Sequence, residues 1–322
     1  MKTIDKVEHT EPAQQLQTKP VQGRMIEQAK SAVRSALHFS DQTFRTMTSS
    51  MRFLPDFIII GGQRCGTSSL YYYLTEHPGI ISASTKETHF FDDFYTKGLN
   101  WYRAQFPTSL RKMYVENIKK YRFFTGEASP YYIFHPHTAR RICKALPNVK
   151  LIALLRNPVD RAYSQHWLEV KGQYETLSFK EAIMREQERL EGELAKMQAD
   201  ENYHSFAHRR YTYLSRGIYV DQLQHWMKYY PREQFLILRS EDLYSDPAWV
   251  VGQTLEFLGV PAKEIDTNRE FKQYKVPSKK GFRNKDKAPK MDPELRAYLV
   301  EYFRPHNARL KELLGRDFDW DK

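Results

Sequence analysis

A glycine-bearing turn at residues 61–69 is the stretch of this sequence best suited to bind an anion. It follows a short apolar run at residues 56–60 and precedes a helical pattern. Such a turn exposes successive backbone N–H groups, and the start of a helix adds partial positive charge. The spacing Gly-x4-Gly is that of a nucleotide-binding loop, but Thr67 stands where a Walker loop requires lysine, and the basic residue of the turn is Arg64. The pattern favours a turn that binds a phosphate or sulfate group, and it speaks against ATP hydrolysis. The alternative is a glycine turn that only connects the strand to the helix and binds no ligand.

A carboxylate, an ammonium group and an imidazole follow this turn closely, in Lys86, Glu87 and His89. A carboxylate takes the proton from an acceptor hydroxyl in a transition state, and a lysine offsets negative charge on a group in transfer. These three side chains are therefore candidate catalytic residues. The alternative is a surface strand that buries the next two residues, Phe90 and Phe91.

A second candidate anion site consists of Arg156 and Ser164. Arg156 comes directly after the apolar run 151–155, and Ser164 lies about two turns into the helical pattern that follows. Open α/β sheets bind ligands at the carboxyl ends of their strands, where Arg156 is expected. The alternative is a helix start in which Arg156 and Arg161 form ordinary salt bridges.

The elements that must hold these residues alternate between strand and helix. Alternation of this kind predicts an α/β fold with a P-loop-type parallel sheet flanked by helices. The predicted strands are residues 56–60, 151–155 and 235–238. The predicted helices are residues 67–76 and 159–171, with further helical patterns at 178–200, 216–230, 247–258 and 292–314, and a loop at 272–290.

Residues 1–54 are predicted to be a flexible tail followed by an amphipathic helix, and residues 55–322 to be the main domain. Between Met25 and Leu37 the apolar residues recur at helical spacing, with Lys30 and Arg34 between them. This N-terminal helical extension is expected to pack on its own domain or on a partner. Peripheral contact of residues 24–39 with a membrane is the alternative.

Composition limits the location and the partners. No apolar run reaches the ~18 residues of a membrane span, and residues 1–23 lack the apolar core of a signal peptide. The two cysteines, Cys65 and Cys143, make no disulfide framework and no four-cysteine zinc site, so we expect a soluble cytoplasmic protein without a bound metal. The net charge of +11 favours a polyanionic partner, but the arginines are too scattered for a nucleic-acid surface.

The motifs together resemble the sulfotransferases that use 3′-phosphoadenosine 5′-phosphosulfate (PAPS), in particular the carbohydrate and heparan-type branch and its bacterial relatives. The turn is similar to the 5′-phosphosulfate loop of that family, which usually carries lysine at the position of Arg64. The block 86–92 resembles its Lys-Glu-x-His-Phe-Phe motif, and the block 155–164 resembles its 3′-phosphate motif. A basic segment at 279–283 resembles the loop that closes over the cofactor. In the segment 126–132, Ala128 replaces a lysine of the heparan-modifying members, which weakens the case for an acidic glycan acceptor.

The resemblance covers residues 55–320 and implies an in-line transfer of a sulfuryl group from PAPS to a hydroxyl or amine of a small-molecule, lipid or saccharide acceptor. The catalytic residues it implies are Glu87 as base, His89 as the group that orients it, Lys86 and Arg64. The cofactor-binding residues it implies are Gly62, Gln63, Arg64, Cys65, Gly66, Thr67, Ser68, Ser69, Arg156, Ser164, Lys280, Gly281 and Arg283.

Three alternatives remain at this point. A P-loop kinase predicts magnesium dependence and release of phosphate from ATP, and the missing Walker lysine speaks against it. A non-enzymatic basic protein that binds polyanions fits the charge alone. A relative that binds PAPS without catalysis stays open because Arg64 replaces the usual lysine.

Overall fold

Five parallel strands form one sheet in the computed structural model, which describes residues 41–260 and 289–321. The strands are β1 (Phe57–Gly61), β2 (Ile80–Ser82), β3 (Phe124–Ala128), β4 (Lys150–Leu155) and β5 (Phe235–Arg239). Their spatial order is β2-β3-β1-β4-β5, and every neighbouring pair is parallel. Because β3 and β4 flank β1 and are both parallel to it, the carboxyl ends of β1, β3 and β4 meet at one edge of the sheet.

The central strands are buried on both faces, which explains their continuous apolar sequence. Ile58 and Ile60 of β1 face one hydrophobic cluster, whereas Phe57 and Ile59 face the other. All four side chains are inaccessible to solvent. A parallel sheet covered by helices on both faces requires this pattern.

Helices cover the sheet and supply the residues beyond its carboxyl edge. They are α1 (Thr67–Thr75), α2 (Gly98–Arg103), α3 (Ser109–Met113), α4 (Thr138–Ala145), α5 (Pro158–Lys171), α6 (Phe179–Met184), α7 (Glu186–Arg189), α8 (Glu193–Ala199), α9 (Phe206–Arg210), α10 (Tyr219–Trp226), α11 (Ser240–Ser245), α12 (Pro247–Leu258) and α13 (Pro293–Leu314). A π-helical turn, Tyr114–Ile118, continues α3, and 3₁₀ turns occupy Ser49–Met51, Tyr95–Lys97, Ser215–Gly217 and Arg232–Gln234.

The predicted α/β fold with a parallel sheet flanked by helices is confirmed, and so are all three predicted strands. Two strands were missed, because β2 has only three residues and β3 reads Phe-Thr-Gly-Glu-Ala, which is not an apolar run. The helical pattern at 178–200 is divided into α6, α7 and α8.

The N-terminal part is described only from residue 41. Residues 41–47 are helical and belong to a separate unit from residues 48 onward. The predicted helix between Met25 and Leu37 lies outside the described residues, as does most of the predicted loop 272–290, and the domain boundary at residue 54 stays a prediction. No helix within 41–260 or 289–321 has the length and apolarity needed to cross a membrane.

Gly126 of β3 allows the close approach of β1, the strand that leads into the glycine-bearing turn at residues 61–69. A Cβ at this position would meet the ring of Phe57 at 2.5 Å, and that ring is fully buried. We expect Gly126→Ala to lower the free energy of unfolding by about 1–3 kcal/mol through overpacking. In Gly252→Ala, the matched helical control, a Cβ would meet nothing within 4 Å, so stability should rise by roughly 0.5–1 kcal/mol. Urea unfolding of both variants tests this; equal stability of the two would contradict it.

Candidate active site

The turn after β1 forms a backbone cradle at the carboxyl edge of the sheet. Gly66 adopts a left-handed conformation with φ 89° and directly precedes α1. The N–H of Gly62 donates to the carbonyl of Leu154 at 2.6 Å, and the hydroxyl of Ser240 donates to the carbonyl of Cys65. The turn is thus fixed from β4 and α11, while the first N–H groups of α1 have no partner inside the helix. This arrangement fits an anion.

Arg64, Arg156 and Ser164 are far apart in the sequence but adjacent in space. Arg64 Nε donates to Ser164 Oγ at 3.0 Å, and Arg156 Nη1 donates to the carbonyl of Arg64 at 3.2 Å. Desolvation and the neighbouring charge of Arg156 lower the pKa of Arg64. No carboxylate of residues 41–260 or 289–321 forms a salt bridge with either guanidinium, so two cations lie side by side beside the cradle. Such a pair fits a dianionic ligand.

Lys86 joins the cradle to the candidate base. Its Nζ donates to Ser68 Oγ at 2.7 Å and also pairs with Glu87 Oε1. The carbonyl of Lys86 accepts a hydrogen bond of 2.9 Å from the N–H of Ala128 at the end of β3. The lysine is therefore placed by the sheet itself, between the anion-binding turn and Glu87.

Glu87, His89 and Asp92 form a chain of hydrogen-bonded charges. His89 Nε2 lies 3.2 Å from Glu87 Oε2, and His89 Nδ1 lies 2.8 Å from Asp92 Oδ2. Burial opposes the charge on all three residues, but their mutual hydrogen bonds outweigh it. The pKa of Glu87 falls to about 2, helped by Lys86, and the pKa of His89 rises to about 10. The pKa of Asp92 is also lowered, by His89 and Arg209. A protonated His89 thus donates one N–H to each carboxylate.

Asp92 was not predicted as a site residue, although it ends the block that contains Glu87. Its carboxylate is fully buried and also lies 3.5 Å from Arg209 Nη2. The spacing of three residues from His89 was the signal available in the sequence. His89, Asp92 and Asp93 also have ligand atoms within 4.8 Å of one another. Because both ring nitrogens of His89 are hydrogen-bonded and Arg209 pairs with both aspartates, this group forms an ion-pair network.

A buried carboxylate beneath the site, Glu127 of β3, was also missed. Its side chain is inaccessible to solvent, and burial raises its pKa although five donors favour the charge. Three donors bind Glu127 Oε2: the N–H of Thr88 at 3.2 Å, Thr88 Oγ1 at 2.7 Å and Ser129 Oγ at 2.7 Å. Two donors bind Glu127 Oε1: the hydroxyls of Tyr102 at 2.7 Å and of Tyr132 at 3.3 Å. Two of these five donors come from Thr88, which lies between Glu87 and His89. Glu127 therefore holds the backbone that carries both residues.

A small polar cavity of about 180 Å³ opens beside Glu87 and His89. Its wall also contains Gln63, Pro130, Tyr131, Arg209, Arg210 and Arg216. Arg216 is 2% exposed, and burial lowers its pKa to about 9. Its guanidinium donates to Gln63 Oε1 and, at 3.0 and 2.9 Å, to the carbonyls of His208 and Arg209, whereas its Nε has no partner. None of these three arginines was predicted as a site residue.

The predicted cofactor-binding residues fall into three groups. The backbone of Gly62, Gln63, Arg64, Cys65, Gly66, Thr67, Ser68 and Ser69 lines the cradle, and Arg156 with Ser164 lies beside it. The side chain of Cys65 is fully buried, with Sγ 3.9 Å from the hydroxyl of Tyr219, so only its backbone is available to a ligand. Lys280, Gly281 and Arg283 lie outside the described residues.

A strand–turn–helix anion cradle at the carboxyl edge of a parallel sheet, opposite a hydrogen-bonded carboxylate, defines an α/β protein built for group transfer from an anionic donor. The chain belongs to the sulfotransferase family: the family model described as "Sulfotransferase domain" matches residues 54–309. The predicted resemblance to that family is thereby confirmed.

Individual relatives agree with this assignment. The chain is 31% identical to "Membrane-associated sulfotransferase kil1" of Dictyostelium discoideum over 83% of its length, and 30% identical to human "Heparan sulfate glucosamine 3-O-sulfotransferase 3B1" over 85%. It spans 66% of the length of each of these proteins, slightly less than two thirds. The crystal structure of a sulfotransferase from Alicyclobacillus acidocaldarius matches with a TM-score of 0.59 and 31% identity, over 84% of this chain and 100% of that one.

A testable prediction concerns the protonation of His89. Because its pKa in the folded chain is raised, the stabilisation due to protonated His89 should be fully present below the unfolded pKa of about 6.5 and be lost as the pH rises towards about 10. The difference in unfolding free energy between the wild type and His89→Gln should therefore be constant below about pH 6.5 and shrink above it. Urea unfolding across this range measures it. Imidazole ¹⁵N shifts that place the titration of His89 near its ordinary pKa would contradict the prediction.

Another prediction concerns Glu127. In Glu127→Gln one oxygen becomes an amide group that faces hydroxyl or N–H donors, so the segment around Thr88 should shift. We expect turnover to fall by about 10²-fold because Glu87 is misplaced. The affinity for 3′-phosphoadenosine 5′-phosphate, the nucleotide product expected from the donor, should stay nearly unchanged. Glu175→Gln is the control: this carboxylate is 3% exposed and binds Arg189 and Tyr213 instead. An equal loss of turnover in both variants would mean that Glu127 acts on stability alone.

Proposed function

We propose that this chain transfers a sulfuryl group from PAPS to a hydroxyl of a saccharide acceptor, by in-line displacement with Glu87 as the base. The observation that carries the proposal is the contact of Lys86 with both Ser68 and Glu87, because it joins an anion cradle to a carboxylate. A base adjacent to a phosphate-binding turn is what sulfuryl transfer to a hydroxyl requires.

The donor site consists of the cradle and the two guanidiniums beside it. The N–H groups of residues 62–69 hold the 5′-phosphosulfate, and Arg156 with Ser164 holds the 3′-phosphate. The absence of a paired carboxylate at Arg64 and Arg156 in the described part of the chain supports a ligand with several negative charges. PAPS supplies the activated sulfuryl group.

Glu87 accepts the acceptor proton as the new O–S bond forms and the S–O bond to the 5′-phosphate breaks, which leaves 3′-phosphoadenosine 5′-phosphate. Its pKa of about 2 makes it a weak base while Lys86 and His89 both contact it. When Lys86 turns to the transferring group, Glu87 loses one cation and its pKa rises. His89 continues to hold the other carboxylate oxygen, and Asp92 keeps the imidazole oriented.

The acceptor pocket favours a saccharide with an anionic substituent over a lipid. The cavity beside Glu87 is small and its side chains are mostly polar. Arg216 is buried there, and no carboxylate of the described residues pairs with it, so an anion on the acceptor would compensate its charge. Ala128 removes one lysine from the heparan-type pattern. In the cavity wall, Arg209 pairs with Asp92 and Asp93 and Arg210 pairs with Glu169, so the positive charge available to an acceptor comes from Arg216 in the turn after α9. The names of several relatives, which act on heparan sulfate glucosamine, support the same acceptor class.

We also propose that the chain works in the cytoplasm. Its two cysteines are free thiols, and Cys65 is buried beneath the cradle. A reducing compartment keeps thiols in this state. Subcellular fractionation of the native protein is the test, and recovery from an oxidising compartment would contradict it.

Isothermal titration with 3′-phosphoadenosine 5′-phosphate in the absence of metal tests the donor site. We expect micromolar binding, lost in Arg156→Ala and absent for ADP, since ADP lacks the 3′-phosphate that Arg156 holds. Equal or tighter binding of ADP, especially with magnesium, would favour a P-loop kinase. Binding of neither nucleotide would contradict the proposed donor site and favour the alternative of a non-enzymatic protein that binds polyanions.

Glu87→Gln is the matched variant that separates binding from catalysis. It keeps the side-chain volume but removes the base, so nucleotide affinity should persist while sulfuryl transfer falls roughly 10²–10⁴-fold. Transfer to a panel of glucosamine-containing saccharides, followed with ³⁵S-labelled donor, gives the readout. Full activity of Glu87→Gln would refute its role as base.

A further inference from the structure

The helix α3 and the π-helical turn after it carry the densest cluster of exposed apolar side chains in the described part of the chain. Four large apolar residues are exposed within nine positions: Leu110 at 66%, Met113 at 56%, Tyr114 at 42% and Ile118 at 69%. Large apolar side chains exposed singly need no explanation, but a contiguous group of this kind marks an interaction surface.

The four side chains share one face of the helix. Their spacing of three, one and four residues is that of a helical stripe. Val115, on another face, is 1% exposed and attaches the segment to the domain. The segment thus packs on the domain through the face of Val115, and the exposed stripe lies on a different face that is not needed for this packing.

Positive charge surrounds this stripe. Residues 109–122 contain five basic residues and a single acid, Glu116. The basic residues are Arg111, Lys112, Lys119, Lys120 and Arg122. The cores of protein–protein interfaces are poor in lysine, whereas helices that lie on membranes combine an apolar stripe with flanking lysine and arginine.

We propose that Leu110, Met113, Tyr114 and Ile118, together with the flanking cations, form a docking surface for an anionic lipid membrane. We name this surface the α3 patch. The apolar side chains enter the boundary between headgroups and acyl chains, and the cations contact anionic headgroups.

Charge complementarity selects this occupant over the alternatives. Glu116 pairs with Lys112 at 3.8 Å, so positive charge remains in excess, and a second copy of the chain would bring the same excess against the first. The N-terminal segment between Met25 and Leu37 is itself basic, with Lys30 and Arg34 among its apolar residues. A polyanionic glycan satisfies the cations but offers nothing to the four apolar side chains.

The position of the α3 patch leaves the active site free. Ile118 lies six residues before Phe124, the first residue of β3, so the patch leads to the amino end of that strand. The cradle, Lys86 and Glu87 lie at the carboxyl edge of the sheet. A membrane bound at the α3 patch therefore does not cover the donor site.

Vesicle flotation of the full-length chain tests the proposal. We expect binding to phosphatidylcholine vesicles that contain phosphatidylserine, weak binding to pure phosphatidylcholine vesicles, and loss of binding at high salt. The double variant Arg111→Gln/Lys119→Gln should bind at least tenfold more weakly, since each charge near an anionic surface contributes about fivefold. Met113→Gln/Ile118→Gln should also weaken binding about tenfold, because it removes apolar insertion.

Matched controls exclude a general effect of surface changes. Met184 is 56% exposed, the same as Met113, and Leu194 is 47% exposed; both lie outside the patch. Met184→Gln/Leu194→Gln should bind vesicles like the wild type. All variants should keep the wild-type melting temperature and the affinity for 3′-phosphoadenosine 5′-phosphate, since none touches the donor site.

A polarity-sensitive fluorophore on Ile118→Cys, in a Cys143→Ser background, separates the remaining occupants. A blue shift on addition of anionic vesicles, and none on addition of heparin, supports a membrane. A blue shift without vesicles that depends on protein concentration indicates self-association and overturns the proposal. Wild-type vesicle binding by both patch variants also overturns it and would assign membrane contact to the N-terminal segment.

Discussion

The active site depends on one buried carboxylate, Glu127, in the central part of the sheet. A charge without access to solvent is tolerated only when several donors surround it, and Glu127 has five. The same donors hold the segment that carries Glu87 and His89. Thr88 lies between these two residues, and the hydroxyl of Tyr132 also accepts a hydrogen bond of 3.0 Å from the N–H of Phe90. The donors that a buried carboxylate requires thus also order the segment that carries Glu87 and His89. The orientation of Glu87 thus depends on β3 and not on a mobile loop.

Positive and negative charges are separated across the carboxyl edge of the sheet. On one side Glu87, His89 and Asp92 form a network in which each charge has a partner. On the other side Arg64 and Arg156 lie together with no carboxylate bound to them in the described residues, and Arg216 is buried with carbonyl and amide partners. Lys86 is the only side chain described that contacts both sides, through Ser68 and Glu87. Because the compensated side carries the proposed base, Glu87, and the uncompensated side has cations without a carboxylate partner, the polarity of the site agrees with the proposed transfer from an anionic donor to a hydroxyl.

The sequence predicted the parts of this site that depend on local pattern. An apolar run followed by glycines predicted β1 and the cradle, and a similar run before Arg156 predicted β4 and the second anion site. The sequence did not predict β3, because Thr125, Gly126 and Glu127 are polar or small and their burial depends on partners elsewhere in the chain. Arg209 and Arg216 were missed for the same reason: their role follows from the packing of α9 and the next turn against Tyr131, which no spacing encodes. Contacts between distant segments were predictable only through the resemblance to a family.

Arg64 shows how the geometry changes the interpretation of a single substitution. The sequence indicated a family lysine replaced by arginine, which raised the question of a lost proton donor at the 5′-phosphate. In the structure its Nε contacts Ser164, while Lys86 occupies the opposite side of the cradle at Ser68. An arginine side chain donates from several nitrogens of its guanidinium, whereas a lysine side chain donates from one nitrogen. The side chain of Arg64 therefore contacts Ser164 in the second anion site while its backbone remains in the cradle. In the proposed reaction, Lys86 then supplies the ammonium group near the transferring sulfuryl, and Arg64 contacts both ends of the donor molecule.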